Sequence, residues 1–248
     1  MECYLVDLTL VAETTLGATL RDDLNANIPR NTLVSAAEVC RMADSAPESV
    51  AVLRRALDEG RAALVGGEDV ESDVPLRPLD AFADSLTRGK HEFEAYLGQA
   101  PRVYGRRRFG LSPMMPQLLD RAGMLGGLHF TLDDGRFPAA EQSKSRWEGI
   151  DGSALDILST TPLDAADTAS FLRFAERMAS SMDRDHVATV VFAHWPAIES
   201  AYYADLRRLT QYGNPLGRFV TLTEYFEYTD SAGRLSRFTV DQYQSPYL

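Results

Sequence analysis

The chain has 248 residues, of which 45% are hydrophobic, with a formal net charge of −11 and a pI near 4.8. This size and apolar share suit one large α/β domain with a core of its own. The acidic balance repels polyanions and argues against a nucleic-acid partner. No apolar run of about 18 residues marks a membrane span. The N-terminus lacks the basic and apolar regions of a signal peptide, so a cytoplasmic protein is expected. Cys3 and Cys40 give no disulfide framework, and no CxxC or Cys/His spacing suggests structural zinc.

Tyr4–Val11 reads as an opening strand. Pro29 and Asn31 mark a turn, and Leu33–Ala43 and Pro47–Asp58 read as two helical pieces broken at Pro47. Ala62–Val65 is a short buried strand running into Gly66-Gly67 and the acidic residues Glu68, Asp69, Glu71 and Asp73. Leu79, Phe82, Leu86, Phe93 and Leu97 recur at helical spacing, and Gly98 ends that helix. Arg102–Tyr104 predicts the next strand, followed by three consecutive arginines, Arg106, Arg107 and Arg108. Ser112-Pro113 predicts a helix start, Met114 and Met115 core filling, and Gly123 the helix end.

Gly127–Thr131 is another expected strand, which places Asp133 and Asp134 directly after it. A polar loop through Lys144, Arg146 and Trp147 then leads to Asp151-Gly152-Ser153, and Leu155–Leu158 forms a strand. Phe171, Ala175, Met178 and Met182 share a helix face. His186–Ala193 contains the most continuous β-branched stretch and reads as a strand buried on both faces. Tyr202–Leu209 is helical, Phe219–Leu222 a short strand, and Glu224–Tyr228 the start of a helix. Residues 1–230 are expected to form the domain, and 231–248 a C-terminal extension opening a further region of a longer protein.

Strands alternating with helices imply βαβ units and a parallel sheet. Neither GxGxxG nor GxxxxGK[ST] occurs, which removes the dinucleotide and P-loop readings. Barrel-like closure is expected rather than an open sheet, and in a parallel barrel the strands' carboxyl ends open on one face. Asp133, Asp134 and Asp151 are therefore the acid–base candidates, because paired carboxylates serve glycosidic chemistry. Arg106, Arg107, Arg108, Trp147, His194 and Trp195 would line the substrate pocket. Guanidinium groups orient anions, and tryptophan faces suit sugar rings. Each candidate has a plainer role open to it. The arginines pair equally well with the acidic run, and the aspartates cap turns. His194 could be a hydrogen-bonded core residue, and either tryptophan could simply cover the core. His129 reads as structural, and His91 and His186 as surface residues.

Several segments in order resemble the N-terminal catalytic domain of glycoside hydrolase family 38, the α-mannosidases. Gly60–Asp73 (GRAALVGGEDVESD) resembles the family's EGR…GG…D strand and loop, and Tyr104–Ser112 (YGRRRFGLS) its W-x-x-D-x-F-G-H-S motif. Pro116–Gly123 (PQLLDRAG) is similar to the following helix, and Trp147–Ser153 (WEGIDGS) is the nearest match. The resemblance implies an irregular seven-stranded β/α barrel and a zinc-dependent retaining hydrolase. It also implies that the nucleophile, which doubles as a zinc ligand, stands at Arg107. Leu111 stands where the motif has histidine, and Tyr104 where it has tryptophan. No histidine follows the first strand, and the strand end that would carry the acid reads Ala193-His194-Trp195-Pro196. Arginine is neither a nucleophile nor a zinc ligand. The expectation is thus a carbohydrate-active hydrolase with an altered site and no matched zinc site. The alternative is a catalytically inactive sugar-binding or scaffolding relative. In both, the partner is a carbohydrate.

Overall fold

The computed structural model describes residues 3–72, 77–133, 135–231 and 233–245. The chain opens with β1 (Tyr4–Leu10), α1 (Ala18–Asn25), β2 (Arg30–Leu33), α2 (Ala36–Ser45), α3 (Pro47–Asp58) and β3 (Ala62–Gly66). It continues through α4 (Leu79–Leu97), β4 (Val103–Tyr104), α5 (Met115–Arg121), β5 (Gly126–Leu128), β6 (Lys144–Glu148), β7 (Ala154–Leu158) and β8 (Leu163–Asp164). It ends with α6 (Thr168–Arg184), β9 (Thr189–His194), α7 (Ala201–Leu209), β10 (Arg218–Phe219), α8 (Leu222–Tyr228) and β11 (Leu235–Arg237). No helix among the described residues is long and apolar enough to cross a membrane.

The strands form one sheet in the order β11-β6-β7-β5-β4-β3-β2-β1-β9-β8, with β10 also paired to β1. Every pairing is parallel except β6 with β7. Strand alternation divides the two faces. Val6, Leu8 and Leu10 of β1 join Leu33, Val65, Val103, Leu128, Leu158 and Val191 in a single apolar cluster. One cluster shared by seven parallel strands means that the sheet curls around it. Leu5 and Phe192 face the other way, toward α6 and α7.

The mostly parallel sheet with its helices agrees with the expected fold class, while full closure into a seven-stranded barrel is not seen among the described residues. Among the described residues no ladder joins β7 to β9, the two strands that would meet. The backbone N–H of Thr189 donates instead to Ser181 Oγ at 2.8 Å. The strands' amino ends are covered from within by α8. Asn31 accepts from the backbone N of Leu222 at 2.5 Å and donates to the carbonyl of Val220. The Phe226 ring lies on Gly126, where a Cβ would come within 2.6 Å of it.

Three local expectations are corrected. Asn31 is no turn residue: Arg30–Leu33 is a fully buried strand, with Pro29 at its amino flank, where a missing N–H is tolerated. Trp147 lies in β6 rather than in a loop, with its ring fully buried. The helix expected from Ser112 starts at Met115, with Pro116 in its first turn. Leu235–Arg237 adds a strand to β6, and Phe238 and Tyr243 pack on His129.

Candidate functional site

The loops after β3 and β4 lie side by side at the carboxyl end of the sheet. Arg106 leaves β4 fully buried and donates to Glu68 Oε1 at 2.9 Å and to the carbonyl of Arg108 at 3.0 Å. It also donates to the carbonyl of Ser72. Tyr104 Oη donates to the same Glu68 oxygen at 2.7 Å. Arg106 therefore locks one loop to the other. Gly110 is required beside it, since a Cβ there would meet the guanidinium at 2.6 Å.

Burial pushes the Glu68 carboxyl up to about 7, against the pull of the Arg106 charge and the Tyr104 hydroxyl. From its ordinary 4.5 up to that value, the folded chain holds a proton that the unfolded chain has lost. The linked stability is greatest below 4.5 and falls as pH rises through this window. Glu68→Gln is expected to flatten the fall, as read from urea midpoints across the same window.

Arg107 and Arg108 turn outward. Their backbone N–H groups donate to the two carboxylate oxygens of Glu71, each at 3.1 Å. The Arg107 guanidinium sits 5.5 Å over the ring of Trp195. Trp195 packs in turn on the interior cluster just past the end of β9. Next to this pair is a cleft of about 170 Å³ walled by Leu10, Leu33, Glu38, Arg41, Glu71, Arg107 and Arg108. Glu38 is already engaged by the backbone N–H of Ser35 at 3.1 Å, as a helix cap. Arg41 pairs with Glu38 at 3.7 Å and Glu13 at 4.0 Å, so the side chains of Arg107 and Arg108 are the donors the cleft has to offer, with Trp195 beside it under Arg107.

Asp133 is exposed beside this mouth, and its backbone N–H donates to the Arg107 carbonyl at 3.0 Å. Asp134 lies outside the described residues. The remaining expected residues do not join them. Asp151 is an exposed turn cap, bonded to Ser153 N at 3.1 Å and Ser153 Oγ at 2.7 Å. It precedes β7 and so lies at the opposite end of the sheet. Trp147 is buried outside the curl with Phe82, Tyr104 and Met115. His129 packs 4.6 Å from it, with burial pushing the imidazole down to about 3. His194 points to the outer face of the sheet, with Nε2 2.7 Å from Asp7 Oδ1.

Sequence reasoning missed Asp7, Arg30 and Arg207, which surround His194, and Glu38 and Arg41 at the mouth. A carboxylate inside the apolar run of Tyr4–Leu10 was the available signal, because a buried charge needs a buried partner. Arg107, the residue that the motif resemblance sets at the nucleophile and zinc-ligand position, turns its guanidinium to the mouth, and a guanidinium is no zinc ligand. Among the described residues no three His, Cys, Asp or Glu side chains are grouped to hold a metal ion.

The sequence profile of the glycosyl hydrolases family 38 N-terminal domain matches residues 32–233, most of the chain. The chain belongs to that family. No curated protein sequence matches this family 38 domain. An α-mannosidase from Enterococcus faecalis V583 superposes with a TM-score of 0.69 at 11% identity, covering 97% of this chain and 31% of its own. A 4-α-glucanotransferase from Thermococcus litoralis gives 0.69 at 12% identity, covering 97% of this chain and 42% of its own. A protein assigned as a polysaccharide deacetylase from Mycobacterium smegmatis gives 0.61 at 16%, covering 92% and 90%. Identities this low speak for the fold alone. The chain spans less than half of the α-mannosidase and the glucanotransferase.

Proposed function

We propose that this family 38 domain binds a carbohydrate at the mouth of its curled sheet and does not perform the family's zinc-dependent hydrolysis. The observation carrying this is the Arg107 guanidinium stacked on Trp195, at the position where the resemblance puts the nucleophile. A cation there can neither attack an anomeric carbon nor ligate zinc. It can hold a tryptophan face rigid and donate to sugar oxygens. With Arg108 alongside Arg107 and the nearby carboxylates engaged, Glu38 by Ser35 and Arg41 and Glu71 by the loop backbone, a sugar carrying an acidic group suits the cleft better than a neutral one.

A second reading, hydrolysis by Asp133 with Asp134, is favoured by the place of Asp133 beside Arg107. A glycan panel with the metal-analysed protein separates the two. Saturable binding without hydrolysis of an aryl α-mannoside to its aryl alcohol is expected, and Trp195→Ala should weaken the binding about tenfold, or ~1.4 kcal/mol. Turnover that needs stoichiometric zinc would overturn the proposal. Turnover lost in Asp133→Asn would move the assignment to the second reading.

A further inference from the structure

The open seam between β7 and β9 holds a second cavity, separate from the mouth. Its volume is about 250 Å³, and it stands where a ladder would otherwise close the sheet. At roughly 30 Å³ per water it would hold about eight waters, or one small metabolite. One wall is α6. Arg177, Ser180, Ser181 and Arg184 recur there at three- and four-residue spacing and so share a helix face. The facing wall is the hydroxyl-rich chain that leaves β7, Ser159 to Thr161.

The charges in this cavity are unevenly committed. Asp185 is fully used: Oδ1 accepts from Ser143 N at 3.0 Å, and Oδ2 accepts from Ser181 Oγ. Glu141 on the rim is paired with Arg234. Among the described residues, the guanidinium groups of Arg177 and Arg184 have neither an ion-pair nor a hydrogen-bond partner. Arg177 is half-buried and Arg184 exposed. Ser159 Oγ already donates to the Gln142 carbonyl at 2.9 Å and Thr160 Oγ1 to Ser143 Oγ at 2.6 Å, so these hydroxyl oxygens are left to accept from a ligand's hydroxyl groups. The unpaired guanidinium is matched by an oxyanion.

We infer that the seam cavity binds a small polyhydroxylated molecule bearing one carboxylate or phosphate, with Arg177 as the principal anchor and Arg184 at the rim. The hydroxyl wall serves the neutral part of the ligand, and the α6 face its anionic end. This site is independent of the mouth, so either can fail without the other.

Isothermal titration of the whole chain with glucose 6-phosphate, glucuronate, glucose and inorganic phosphate tests it. One of the two anionic sugars should bind at least tenfold more tightly than glucose and than inorganic phosphate, and the tighter one identifies the anion. Arg177→Gln should weaken that binding about tenfold. Ser180→Asp, which puts a negative charge on the same face, should abolish it. Trp195→Ala should leave it unchanged. Thermal unfolding of each variant confirms that it is folded. Binding indifferent to both seam variants would overturn the inference, as would equal binding of glucose, or no binding of either anionic sugar.

Discussion

Asp7→Ala is expected to cost about 3–5 kcal/mol of folding stability, the range for a buried ion pair that loses one partner. Asp7 is wholly buried in β1 and faces the helices rather than the interior cluster. His194 Nε2 lies 2.7 Å from one of its oxygens and Arg207 Nε 3.8 Å from the other. Arg30 meets Asp23 at 2.6 Å, and Arg207 reaches Glu199 at 2.5 Å. Three carboxylates are thereby balanced by two guanidinium groups and one imidazolium. Both nitrogens of His194 face acceptors, Asp7 and, at 3.1 Å, the Trp195 carbonyl, an arrangement that favours the charged imidazolium. Removing Asp7 leaves Arg30 and Arg207 with one carboxylate fewer in a place water does not reach, and takes from His194 the partner that favours its charged form.

The same network sets a pH dependence. Burial alone would lower the His194 value, but the charge and hydrogen bond of Asp7 outweigh it and raise the value above 6.5. A raised histidine contributes stability that is complete below 6.5 and is lost as pH rises through the folded value. Burial would raise the Asp7 carboxyl, yet His194, Arg30 and Arg207 hold it well below its ordinary 3.8. Its contribution is present above 3.8 and fades only in strong acid. Urea unfolding should show wild type losing stability on the alkaline side, and Asp7→Ala lacking that slope. A loss under ~1 kcal/mol, with the slope intact, would mean that the cluster is not a stability element.

The frame of the fold was legible because it rests on local patterns. Leu79–Leu97 repeats apolar residues at helical spacing and stops at Gly98, whose φ is +78°. The β9 run is continuous and buried on both faces. What escaped depends on distant partners. Arg30–Leu33 is a polar stretch made into a central strand by Asp23 and by the α8 backbone that Asn31 holds. Trp147 has a sequence context typical of a loop and is buried because β6 pairs antiparallel with β7. The site was half legible. Residues after strands do gather at the mouth, but a side chain's face depends on strand register. By that rule His194 and Trp195, adjacent in sequence, part to opposite sides of the sheet.

The arginine run divides by the same logic, and its two halves should respond in opposite ways. Arg106→Ala is expected to cost about 3 kcal/mol, since it strands the Ser72 and Arg108 carbonyls and opens a cavity beside Gly110. The loss should not reach the upper range for a broken buried pair. Glu68 already sits near 7 and can take up a proton once its partner is gone. Arg107→Ala removes a partly exposed stack on Trp195, worth about 0.5–1 kcal/mol, and leaves the Glu71 bonds to its backbone intact. Its effect should instead fall on carbohydrate affinity. Thermal unfolding and glycan titration of the two variants together give the test. A large stability loss in Arg107→Ala, with Arg106→Ala near wild type, would reverse the assignment of which arginine holds the loops and which faces the ligand.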